Sequence, residues 1–159
     1  MDDLSEERLA LVNPILADKV RILSNMLETE RIIIRVVQGL RSWNEQQKLY
    51  EQGRTTPGKI VTQCPGGHSY HCFGMACDLA PNDPSKPIWT PDWNADHPSW
   101  KKIEAAAVSI GLVCGCAFRT FVDAPHAQMT GRFPVNPDEE VRQLFKAGGM
   151  EAIWREANF

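Results

Sequence analysis

The sequence predicts an α+β fold, a small antiparallel sheet flanked by helices. Three observations carry that prediction. Apolar residues recur at helical spacing in three separate stretches. The strand-like segments are short and rich in β-branched or small residues. The two kinds are mixed without the regular alternation that builds a parallel sheet. With 159 residues, 43% hydrophobic and 23% charged, the chain can bury one ordinary core, and residues 1–159 read as a single domain.

Asn13-Pro14 is a helix start, with Asn as cap and Pro at the first helical position. Ile15, Leu16, Val20, Leu23 and Leu27 then supply one apolar face. Residues 32–38 read as a β-branched strand ended by Gly39. Ser42 and Glu45 form a capping box, and Gly53 can close the helix that follows. Residues 54–69 hold two Pro and three Gly and read as a long loop, and Met75 to Ala80 as a short strand. The stretch 81–98, with five prolines, suggests an ordered surface excursion. Ser99 can cap a helix whose apolar side is Trp100, Ile103, Ala107 and Ile110, stopped by Gly111. Short strands around 112–118 and 126–129 follow. Asn136-Pro137 starts a last helix, with Val141, Leu144 and Phe145 on its apolar face.

Composition excludes several function classes. The 17 basic and 20 acidic side chains leave a net charge of −3, which argues against a nucleic-acid partner. No apolar run approaches the ~20 residues that a transmembrane helix needs, and Arg35 interrupts the longest. The N-terminal stretch MDDLSEERLALV lacks the pattern of a signal peptide, so cytoplasmic synthesis is expected. The five cysteines, at 64, 72, 77, 114 and 116, are odd in number and contain no Cys-x-x-Cys pair. They read as reduced, mostly buried thiols rather than a disulfide framework or a zinc ribbon.

Three stretches carry candidate chemistry. In residues 69–80, His71 precedes Asp78 by seven positions, a separation of roughly 23 Å if extended. A turn at Gly74 would bring imidazole and carboxylate to one ion; without it the two are unrelated surface groups. In residues 121–129, Pro125 biases the chain toward an extended turn that delivers Asp123 and His126. A His there could complete a three-ligand zinc site with its fourth position open to water, and Asp123 could act as general base. Equally, Asp123 could cap a turn and His126 donate to a backbone carbonyl. In residues 39–54, Gln46 shares a helical face with Trp43 and Tyr50. Arg41 could bind a carboxylate or an oxyanion, or form a surface salt bridge.

In this order the three stretches resemble the zinc peptidases of bacterial cell walls. That family includes the VanX and VanY D-Ala-D-Ala peptidases and the L-alanyl-D-glutamate endopeptidases found as phage endolysins. Its pattern Ser-x-His-x-x-Gly-x-Ala-x-Asp is met by Ser69, His71, Gly74, Ala76 and Asp78. Residues 39–62 resemble the opening of the endolysin branch and residues 111–129 its close, so the likeness spans about residues 30–130, with helical extensions on either side. Relatives commonly carry Trp-Gly-Gly-x-Trp where this chain has Cys114, Gly115, Cys116, Ala117 and Phe118. A thiol at 116 could compete as a metal ligand.

The resemblance implies a small α+β domain whose antiparallel sheet carries zinc on His71, Asp78 and His126. It implies Asp123 as catalytic base, Arg41 as a transition-state or substrate contact, and Gln46 and Ser69 lining the cleft. The expected substrate is the peptidoglycan stem peptide, cut at L-Ala–D-Glu. A D-Ala-D-Ala carboxypeptidase or a non-catalytic zinc-dependent binding module are the alternatives. Arg54 and Lys59 are candidates for remote substrate carboxylates, and His68 and His97 read as surface histidines. The expected state is a monomer, acting on the cell wall after phage lysis or after export by a route not visible in the sequence.

Overall fold

A computed structural model describes residues 1–94, 96–115, 118 and 122–159. The helices are α1 (Asp3–Leu9), α2 (Pro14–Thr29), α3 (Trp43–Glu51), α4 (Pro98–Ser109) and α5 (Glu139–Ala157). The strands are β1 (Ile34–Gln38), β2 (Ala76–Pro81), β3 (Val113–Cys114) and β4 (His126–Gln128), with a 3-10 turn at Tyr70–Phe73. The strands form one antiparallel sheet in the order β1-β2-β4-β3, so the fold is the α+β arrangement expected.

Asn13 caps α2 as its residue type predicts, its side chain accepting from the backbone N–H groups of Ile15 and Leu16. The helix buries Leu16, Val20, Leu23 and Leu27 against Val36 of β1, Leu79 of β2 and Ile103 of α4. Successive strand residues face opposite sides, so Cys77 and Leu79 enter this core while Asp78 between them points to the other face. A second cluster joins Tyr70, Phe73 and Met75 to Val141 and Ile153 of α5, with Trp43 stacked on Phe145 at 5.5 Å. The metal-site candidates lie between the sheet and this second cluster.

Helix α1 was not expected from the sequence. It is seven residues long, buries one core side chain, Leu9, and adds polar anchors: the Ser5 hydroxyl accepts from the Val36 N–H at 3.1 Å, and Arg8 donates to the Val36 carbonyl. It thereby satisfies the outer edge of β1, which would otherwise be open to another strand. Helix α4 begins two residues earlier than read, with His97 rather than Ser99 as its cap. Pro98 has no N–H to satisfy and suits the first position, so the cap moves ahead of it and the Ser99 N–H donates to His97 Nδ1. Helix α5 breaks at Gly148 and Gly149, the latter at φ +67°. Of the thiols, Cys72, Cys77 and Cys114 are buried and Cys64 is partly so, whereas Cys116 and Ala117 lie outside the described residues. No helix among the described residues is long and apolar enough to cross a membrane.

Candidate active site

The sharp turn at residues 69–74 decides where His71 goes. Ser69 caps the 3-10 turn by accepting from the His71 N–H, and Gly74 ends it at φ +63°. That left-handed conformation strains any residue with a Cβ. The turn folds His71 back over β2, so the seven-residue separation closes to 3.1 Å between His71 Nε2 and Asp78 Oδ1. His126 arrives by strand pairing, because it sits opposite Asp78 in the β2–β4 ladder.

The three ligand atoms form a compact triangle. His71 Nε2 lies 3.2 Å from His126 Nδ1, and His126 Nδ1 lies 3.4 Å from Asp78 Oδ1. A tetrahedral zinc with ligands ~2.0–2.1 Å away has ligand–ligand edges of about 3.3 Å, so the triangle fits such an ion. The outer ring nitrogens agree. His71 Nδ1 donates to the Gly39 carbonyl at 2.8 Å, and His126 Nε2 donates to Gln128 Oε1 at 2.7 Å. Each N–H is thus spent outward and each lone pair turned inward, the usual bracing of a metal-bound imidazole. Gln128 is itself fixed, its amide nitrogen donating to the Val135 carbonyl at 2.8 Å.

Charge is arranged to match. Burial alone would raise the Asp78 carboxyl, but the His71 and His126 rings hold it far below the usual carboxylate range. Burial lowers His126, yet its bonds to Asp78 and Gln128 outweigh that and raise it. Asp123 shifts upward, through burial first and the nearby Asp78 charge second. Gly115 permits its approach: a Cβ there would collide with the Asp123 carbonyl and lie 2.9 Å from the His126 Cβ. Arg41 donates to Asp78 Oδ2 at 3.3 Å and to Gln46 Oε1 at 2.6 Å.

These groups open onto a cleft of about 550 Å³, walled by Arg41, Ser69, His71, Asp78, Asp123 and His126. Gln46 is not on that wall. It is fully buried behind Arg41, and its amide nitrogen ties the long loop in place through the Cys64 carbonyl at 2.7 Å and the Thr62 hydroxyl at 3.3 Å. Arg54 is turned away too, lying over the Tyr50 ring and donating to Gln63, and Lys59 is likewise not among the wall residues. The structure adds His68 and Gln128 to the wall. Gln128 had a signal in the sequence, since a residue two after His126 in a strand shares its face.

Comparison with known proteins points the same way. A sequence-family model described as D-alanyl-D-alanine carboxypeptidase matches residues 62–129, which include all three triangle residues. The peptidoglycan L-alanyl-D-glutamate endopeptidase CwlK of Bacillus subtilis (strain 168) is 32% identical over 122 residues, covering 74% of this chain and 73% of its own length. The chain belongs to the M15 peptidase family. M15 peptidases are metallopeptidases, and the triangle is where this one can hold its ion. The likeness to solved structures extends beyond the matched segment. The crystal structure of the Serratia marcescens L-Ala D-Glu endopeptidase ChiX aligns with a TM-score of 0.58 at 25% identity, over 83% of this chain and 90% of that one.

Proposed function

We propose that this M15 peptidase is zinc-dependent and hydrolyses the L-Ala–D-Glu bond of the peptidoglycan stem peptide. The observation that carries the reading is the triangle of His71, Asp78 and His126 with the Asp123 carboxyl on the same cleft wall. Two imidazoles and one carboxylate suit zinc and leave its fourth position free of protein. The names of CwlK and ChiX support the choice of bond.

When bound, zinc supplies a Lewis acid that polarises a carbonyl and makes a water molecule more acidic. The chain's own groups do the rest. His71, Asp78 and His126 hold the ion, and the Gly39 carbonyl and Gln128 keep both rings turned toward it. Asp123 accepts the proton of the attacking water. Arg41 presents positive charge to the carbonyl oxygen as that oxygen becomes an anion. Gln46 holds the Arg41 guanidinium in place from behind, and Ser69 fixes the turn that carries His71.

The same reading takes residues 1–159 as one domain, because α1 bonds to β1, which pairs with β2 of the matched segment, and α5 packs on the 3-10 turn within it. It takes the chain as a monomer acting on the cell wall. The test is metal analysis together with hydrolysis of defined muropeptides, with and without a chelator. We expect bound zinc and chelator-sensitive cleavage at L-Ala–D-Glu. Release of free D-Ala instead would select a carboxypeptidase, the activity in the matching family's description. Bound zinc with no cleavage of any muropeptide would select a binding module.

A further inference from the structure

We infer that His68 is a specificity-determining residue, whose Nε2–H takes an acceptor oxygen of the bound stem peptide. The inference rests on the peptidase reading above. His68 sits on the cleft wall beside Val135, Asn136 and Pro137, and its backbone is held firmly. Its N–H donates to the Pro65 carbonyl at 3.0 Å, and the Gly66 N–H donates to Gln47 Oε1 at 3.1 Å. Gly67, at φ +75°, lies so close to the Trp43 indole that a Cβ would stand 3.1 Å from three ring carbons. The turn is therefore built against a half-buried aromatic rather than left to wander.

The exposed ring has one hydrogen-bond partner among the described residues. Arg142 Nη1 lies 3.3 Å from His68 Nδ1. A guanidinium has only donors, so Nδ1 must accept, the ring must be neutral, and its single proton must sit on Nε2. Burial and the Arg142 charge both lower the His68 pKa, in keeping with that form. Arg142 cannot easily swing away, because it also donates to the Pro137 carbonyl at 3.0 Å and pairs with Glu139 at 3.0 Å. No partner for His68 Nε2 is found among the described residues. The result is a neutral donor on a residue of the cleft wall. A stem peptide provides two kinds of acceptor oxygen for it, main-chain carbonyls and the D-Glu carboxylate.

The test compares zinc-loaded wild type with His68→Phe, His68→Gln and Arg142→Met on a muropeptide containing L-Ala–D-Glu, and on its D-isoglutamine counterpart. His68→Phe should raise KM about fivefold to tenfold, the worth of one neutral hydrogen bond, with kcat within about twofold. His68→Gln, which keeps an N–H donor, should recover most of that loss. A loss confined to the D-Glu substrate assigns the oxygen to the carboxylate, and an equal loss on both assigns it to a carbonyl. Independently of activity, 15N NMR of the wild type should show His68 protonated at Nε2 and bare at Nδ1, and Arg142→Met should mix the tautomers. Wild-type cleavage with an unchanged KM in His68→Phe, or a proton found on Nδ1, overturns this inference alone. A zinc-loaded wild type that cleaves no muropeptide overturns the peptidase reading and this inference with it.

Discussion

Asp123 and His71 stand on the same cleft wall but are asked for different things, and single substitutions should separate them. On the proposed mechanism Asp123→Ala removes the base and no ligand, so kcat should fall by about 10²–10⁴ while metal content is unchanged. His71→Ala should lose metal and activity together. Unimpaired hydrolysis by Asp123→Ala would take that residue out of the mechanism. Gln128→Leu deprives His126 of its acceptor, and zinc affinity should drop roughly 10–100-fold in competition with a chromogenic chelator. Replacing Cys64, Cys72 or Cys77 with Ser should leave metal content as it was, because none belongs to the triangle. The candidate ligands and base were legible because such residues are recognised by type and spacing. The roles of Gln46 behind the wall, and of Gln128 and His68 on it, were not. They depend on the Cys64 carbonyl, the Val135 carbonyl and Arg142, partners that only the folded chain brings near.

Helix α3 shows how an element's ends reach the chemistry. Its capping box is complete, with Ser42 accepting from the Glu45 N–H at 3.2 Å and Glu45 accepting from the Ser42 N–H at 2.8 Å. Ser42→Ala should cost ~1 kcal/mol, seen as a drop in Tm of about 2–4 °C. Its kcat should fall as well, because the first turn of α3 sets Gln46 behind Arg41. That helix could be read from the sequence because a capping box is local. Helix α1 could not, since its seven residues put only Leu9 into the core and are otherwise held by Val36 on β1. Its other anchor gives a pH signature. The Arg21 side chain on α2 hydrogen-bonds Glu6 and lowers its carboxyl below the ordinary 4.5. A depressed carboxylate stabilises the fold above its unfolded pKa, and that contribution is lost as pH falls through the folded value. Arg21→Ala should therefore flatten the acid limb of Tm against pH below about 4.5. The change should be small, because the pair is partly exposed.

At the scale of the whole molecule, an ion held by residues 71, 78 and 126 would tie the 3-10 turn to two strands of the sheet. Because it binds only the folded chain, it should stabilise by about 2.7 kcal/mol at a concentration 100 times its Kd. Chelation should then lower Tm, re-addition of zinc should restore it, and an unchanged Tm would argue against a bound ion. A quieter consequence follows from the pairing of Asp78 with His126. Side chains along a strand alternate between faces, so a slip of one position would set Ala127 against Asp78 and send the imidazole into the core. Only one alignment of β2 and β4 therefore creates a place for the metal. The ion would proofread the assembly of the sheet, rewarding that alignment and no neighbouring one. Insertions between Gly115 and His126 should survive selection only where they bulge outward and leave the alignment intact.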